Sequence, residues 1–210
     1  IFVSMCKQRQ TTHFLAPTFV LLLLISAFQS ASAQLVINEI CAQNASLFYD
    51  QNGEDPDYIE LYNGTGSSIN LAGYYLSDDT LDLTKWQFPS VSIAGGDFLI
   101  ILASGENTVD TYIHTNFKLD KDGETLVLTR PDNSEADRVS FGFTQVDHSV
   151  GRLPNGGSQW KYFSEPTPNA TNNSSTGYNG YLSEPVFSFD AGFYSGTLSL
   201  ELSSTVASSN

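Results

Sequence analysis

Short apolar segments recur from Leu35 to Phe163, and Gly, Asn, Asp or Pro breaks each one within a few residues. No stretch of this region sustains a 3.6-residue period, so a helical core is excluded and the segments must pair as strands. The clearest are L-V-I-N-E-I-C at Leu35–Cys41, D-Y-I-E-L-Y at Asp57–Tyr62, D-F-L-I-I-L-A at Asp97–Ala103 and E-T-L-V-L-T at Glu124–Thr129. In the second, Ile59 and Leu61 alternate with Tyr58, Glu60 and Tyr62, the pattern of a strand covered on one face. The run Asp97–Ala103 is the most continuously apolar, which predicts a central strand covered on both faces. Shorter strands are expected at Ile69–Leu71, Tyr74–Leu76, Lys85–Pro89, Ala136–Phe141, Ser149–Leu153 and Gln159–Phe163. The expectation is an all-β, immunoglobulin-like β-sandwich.

Residues 1–33 are set aside from that fold. Lys7 and Arg9 precede the apolar run Phe14–Phe28, and Ala31-Ser32-Ala33 follows with small residues before Gln34. These are the three parts of a secretory signal peptide, cleaved near Ala33-Gln34. The run is shorter than a membrane span needs, so no span is expected after signal removal. The expected location is secreted or cell-surface.

Without Lys7 and Arg9, seven basic residues face 23 acidic ones, a net charge of −16 against −14 for the full chain. Such a surface repels phosphate backbones and excludes unaided nucleic-acid binding. Proteins and surface glycans are the partners that remain. Cys6 leaves with the signal, and Cys41 then has no intrachain thiol partner. Its place at a strand end favours a small buried hydrophobe over a bridge to another chain.

The chain divides by composition into the leader (1–33), the sandwich (34–170), a polar linker (171–183) and 184–210. The linker is built around Asn172-Asn173-Ser174-Ser175-Thr176-Gly177. The final segment carries two strand signals, Val186–Phe189 and Leu198–Leu202, too few for a stable sheet. It is expected to be the start of a second β module.

The densest carboxylate cluster precedes the Tyr58 strand. Asp50, Asn52, Glu54, Asp55 and Asp57 supply side-chain oxygens around Gly53, and calcium is the cation whose ligand chemistry they match. The spacing is not that of an EF-hand. The competing reading is a solvated loop whose Asp, Asn and Gly make turns. Asp78, Asp79 and Asp82 form a second acidic loop. Glu39 and Glu60 sit inside apolar strands, where paired carboxylates can act as acid and base. The more usual role is to accept hydrogen bonds or to pair with Arg138 or Arg152. Asp147-His148-Ser149 has the letters of a triad, but strand neighbours point to opposite faces. No catalytic residue is assigned. Trp86 and Trp160 are expected in the core, whereas Tyr162 and Tyr178 to Tyr181 offer a sugar- or protein-binding surface.

Several segments carry a family resemblance. They are V-I-N-E-I from Val36, D-Y-I-E-L-Y-N from Asp57, I-N-L-A-G-Y from Ile69, W-Q-F-P from Trp86 and G-G-D-F-L from Gly95. They continue with H-T-N-F from His114, G-E-T-L from Gly123, S-V-G-R from Ser149 and P-T-P-N from Pro166. In this order they resemble the lamin tail domain family in its bacterial exported form, over roughly 35–172. The resemblance implies a compact immunoglobulin-like sandwich without catalysis. Cys41 and Ala94 depart from the family's usual residues. D-A-G-F-Y-S-G from Asp190 resembles the small sandwich module at the C-terminus of chitobiase-like enzymes. Together these imply a module for protein interaction, adhesion or domain presentation. The alternatives are an accessory domain of an extracellular hydrolase with catalysis downstream, or a carbohydrate-binding module.

Overall fold

The computed structural model describes residues 35–203. The leader and its cleavage site lie outside the described residues. In chain order the strands are β1 (Leu35–Cys41), β2 (Tyr58–Asn63), β3 (Ile69–Asn70), β4 (Tyr75–Ser77), β5 (Trp86–Gln87), β6 (Ser92–Ile93) and β7 (Phe98–Leu102). They continue as β8 (Ile113–His114), β9 (Thr125–Thr129), β10 (Glu135–Ser140), β11 (Ser149–Arg152), β12 (Trp160–Phe163), β13 (Val186–Phe187) and β14 (Leu202–Ser203). A six-stranded sheet has the order β12-β11-β1-β2-β7-β8, and a four-stranded sheet has the order β10-β9-β4-β5. The immunoglobulin-like sandwich expected from the strand spacing is thus the observed architecture. No helix among the described residues is long and apolar enough to cross a membrane.

The inner faces of the two sheets make the core. Ile37, Ile40, Ile59, Leu61 and Ile101 from the large sheet meet Leu76, Trp86, Leu126, Leu128 and Val139 from the small one. Trp86 and Phe88 both lie in this core with ring centroids 4.7 Å apart, as their i, i+2 spacing predicts. Trp160 is half-buried, with the Arg152 guanidinium 4.6 Å from its ring centroid.

Two expectations are corrected. The Asp97–Ala103 run is not central. β7 lies next to the sheet edge, paired along its length with β2 but with β8 at only Ile101 and Leu102. Its continuous apolarity has another cause: Ile100 and Leu102 join Tyr58 and Cys41 in a second cluster on the outer face, against Leu47, Phe48 and Tyr112. The second correction concerns β2, which is covered on both faces. Tyr58 and Glu60 are as fully buried as Ile59 and Leu61, because chain outside the strands packs over them.

Thr167 and Asn169, at the end of the expected sandwich, are part of that cover, and the stretch expected to be a linker packs on beside them. Asn172 is fully buried, and Tyr178 exchanges both backbone hydrogen bonds with Tyr162 at 2.9 Å, lying along the edge of β12. Beyond it, β13 and β14 pair with each other alone, and every residue from Leu182 to Ser203 is exposed. Cys41 is buried and free, and burial pushes its thiol up to about 12.

Candidate functional site

Glu39 and Glu60 are register partners on β1 and β2, near the middle of the large sheet, and neither has exposed surface. A carboxylate cannot stay in such a place without donors. Glu39 accepts from the Tyr58 hydroxyl at 2.7 Å, and from the Thr167 backbone N–H and hydroxyl, each at 3.1 Å. Glu60 accepts from the Asn38 side-chain amide at 3.0 Å and from the Asn169 N–H at 2.6 Å. Asn169 has a φ of 59°, a left-handed conformation that Asn tolerates better than most residues. Asn172 then ties the same segment to β11 by donating to the Arg152 carbonyl. Residues 167–172 are therefore a strap seated on two carboxyls.

Burial raises the pKa of Glu39 despite its donors. Burial, and next the charge of Glu39, push Glu60 up to about 8, partly offset by Asn38 and the N–H groups of Asn169 and Ala170. Displaced carboxyl pKa values are the property of an acid–base pair. Here the oxygens face the protein's own strap, with no surface open to a substrate. Neither expected arginine partner is used: Arg138 pairs with Glu135, and Arg152 with Asp137.

Arg152 makes a junction that sequence reading missed. β1 is irregular between Ile37 and Glu39, where its pairing with β2 shifts register, and its pairing with β11 begins only at Glu39. The Ile37 N–H donates to Asp137 Oδ2 at 2.8 Å, and the Ile37 carbonyl accepts from Arg152 Nε at 2.8 Å. Arg152 Nη2 closes the triangle on both Asp137 oxygens, at 2.8 and 3.0 Å. Since Asp137 lies on β10 and Arg152 on β11, the ion pair links the two sheets. The only advance signal is a lone Asp and a lone Arg near facing strand ends.

The acidic loop serves its own turn. Asp50 is largely buried, and its Oδ1 accepts from the N–H groups of Asn52 and Glu54. Burial opposes this, but the amides of Glu54 and Asn52 outweigh it and hold the carboxyl below its usual range. Asp57 Oδ1 accepts from the Asn44 N–H, and burial raises its carboxyl to about 6. Asn52, Glu54 and Asp55 are exposed. A cleft of about 580 Å3 brings Glu54, Asp55 and Asp57 near Glu106 and Lys118. Among the described residues, no three His, Cys, Asp or Glu side chains gather as they would around a metal ion. In the second acidic loop, Asp78 pairs with Lys85 at 2.7 Å, while Asp79 and Asp82 accept from backbone N–H groups two residues on.

The triad letters are dispersed. Asp147 binds the Ala45 and Ser46 amides, His148 Nδ1 lies 3.2 Å from the Tyr181 hydroxyl, and Ser149 is buried. The tyrosines do gather. Tyr181 stacks on His148 and meets Tyr162 edge-on at 5.0 Å, beside a cleft of about 430 Å3 that Tyr178, Gln145 and Ser164 also line.

The chain matches no curated protein in sequence. The sequence pattern of the Lamin Tail Domain family matches residues 29–143, from before β1 to just past β10. That match spans more than half of the 210 residues, and the observed sandwich is the immunoglobulin-like fold the resemblance implied. The chain belongs to the lamin tail domain family.

Proposed function

We propose that this is a non-catalytic β-sandwich module of a secreted or surface protein, used for protein interaction, adhesion or domain presentation. One observation carries the reading. The carboxyls with the chemistry of an acid and a base, Glu39 and Glu60, are sealed under the 167–172 strap and accept its hydrogen bonds. The signal-like leader supports export, and the net charge of −14 argues against nucleic acid as a partner.

The Tyr162–Tyr178–Tyr181 cleft favours a second reading, binding of surface glycans, because stacked aromatic faces with polar neighbours suit sugar rings. An accessory role beside a downstream hydrolase is the third. One experiment separates them: export from a bacterial host, then a glycan array and a chromogenic glycosidase and esterase panel with the exported protein. The expected result is protein outside the cytoplasm, a flat array and no turnover above buffer. Turnover abolished by Glu39→Gln would overturn the non-catalytic reading. Binding abolished by Tyr178→Ala would replace it with the glycan one.

The acidic loop is proposed as a turn that forms without metal, since Asp50 and Asp57 already accept loop amides. A ligand that binds only the folded state raises its melting midpoint by mass action. Calcium at millimolar excess, and chelator after it, are expected to leave the midpoint where matched ionic strength leaves it. A calcium-specific rise lost in Asp55→Asn would instead make Asp50, Asn52, Glu54, Asp55 and Asp57 a calcium site.

A further inference from the structure

A sheet edge presents unpaired backbone groups, and natural proteins usually cover or charge it. Among the described residues, most edges here are managed. Tyr178 pairs along β12. β10 is irregular between Glu135 and Asp137 and carries the Glu135–Arg138 pair. β5 is two residues long. The β7 edge has no such device. Antiparallel pairing with β2 is bounded by Asn63 N–H to the Asp97 carbonyl and Ala103 N–H to the Asp57 carbonyl. Alternation along that ladder turns the backbone groups of Leu99 and Ile101 toward β2, and those of Phe98, Ile100 and Leu102 away from it. Thr115 N–H reaches the Leu102 carbonyl, and β8 pairs no further back than Ile101. Because Ile101 bonds to β2, its pairing with Ile113 hands the Ile113 N–H to the Ile100 carbonyl. The vacant position is beside Phe98 and the Ile100 N–H.

That position is a groove of about 510 Å3 with an apolar wall on each side of the sheet. Val91 and Leu99 pack on the inner core, Phe48 and Tyr112 pack on the outer cluster that contains Ile100, and all of them line the groove. An extended chain laid there would drop alternate side chains to the two walls. The charge is one-sided as well. Of the charged residues Asp110 alone lines the groove, and it is exposed.

We infer that the β7 groove is a docking site for an extended segment of a partner protein, β-branched toward both walls and flanked by basic residues, which adds a strand beside Phe98 and the Ile100 N–H. Main-chain hydrogen bonds to the edge supply affinity, and the two walls and the Asp110 carboxylate supply selection. This rests on the interaction-module reading above.

The probe is a capped synthetic peptide, Lys-Val-Thr-Val-Thr-Val-Lys, titrated into the full 210-residue chain and followed by amide NMR. Shifts are expected at Phe98, Ile100 and Tyr112. Affinity is expected to fall at least about tenfold in each of three controls: N-methylation of alternate peptide amides, replacement of both peptide lysines by Glu, and Val109→Lys in the protein. Val109 is 60% exposed on the groove rim, so that change leaves the fold intact. Equal binding by the N-methylated peptide overturns the strand-addition geometry. Absence of shifts at millimolar peptide overturns the site. Self-association in sedimentation that Val109→Lys relieves assigns the groove to a second copy and overturns the partner. Turnover in the hydrolase panel would strike the non-catalytic reading without altering these shifts.

Discussion

Arg152→Met lowers the unfolding free energy by about 3–5 kcal/mol, the cost typical of removing one member of a buried pair. The residue volume is nearly kept, so the loss is not chiefly a cavity. Asp137 keeps its charge with its side chain only 12% exposed. The Ile37 and Gly157 carbonyls lose their Arg152 donors, and the ring of Trp160 loses its stacked cation. Arg152→Lys recovers only part of the loss, because one ammonium cannot reach three acceptors in the fork geometry of a guanidinium. Asp137→Asn combined with Arg152→Met costs less than the sum of the two, since each single change strands the other's partner. Urea unfolding at neutral pH measures the four variants against the wild type. A loss below 1 kcal/mol for Arg152→Met would mean that the junction does not hold the sheets together.

The strands that read well in the sequence are those whose signal is local. β1, β2, β9 and β10 were placed to within a residue or so by alternation and by the turns that bound them. β7 was placed correctly along the chain and wrongly in the sheet. An apolar run reports that both faces are covered, and it is silent about what does the covering. Here the outer cover is Leu47, Phe48 and Tyr112, not a second layer of sheet. β6 and β8, two residues each, carry no period to detect.

The functional features were less legible because their partners are remote. Arg152 reaches Ile37 across 115 positions, and Thr167 reaches Glu39 across 128. The P-T-P-N-A stretch at 166–170 reads only as the polar end of the sandwich, with the linker beginning at Thr171. It nevertheless carries the donors that two carboxyls in apolar strands require. Pairing buried acceptors with a donor-rich segment would have found the strap. Hydrogen bonding within the acidic loop was hidden for a different reason: whether Asp50 faces its own amides or a cation depends on backbone conformation that the residue types alone leave open.

Glu60 makes the fold more stable in mild acid than in mild base. Its carboxyl, pushed up to about 8 by burial first and then by Glu39, holds a proton in the folded state that the unfolded chain releases near 4.5. Between those values the native state binds more protons, so unfolding free energy falls as pH rises. This contribution is fully present below the unfolded value and is lost as pH climbs through the folded one. Glu39, Glu124 at about 7 and Asp57 at about 6 add slope of the same sign. The depressed carboxyls of Asp50, Asp132 and Asp147 act oppositely, at more acid pH. From pH 5 to pH 8 the expected loss due to Glu60 is about 3 kcal/mol. Glu60→Gln removes the titration while keeping the shape. It costs about 1–3 kcal/mol at pH 5, because its NH2 must face either Asn38 or the strap, and both sides offer donors. Its pH slope is correspondingly shallower, so the two proteins converge in stability toward pH 8. Urea midpoints at the two pH values decide it. A wild-type protein equally stable at both, or a Glu60→Gln protein with an unchanged slope, would show that Glu60 is ionised in the fold and that the strap's amides fully compensate its burial.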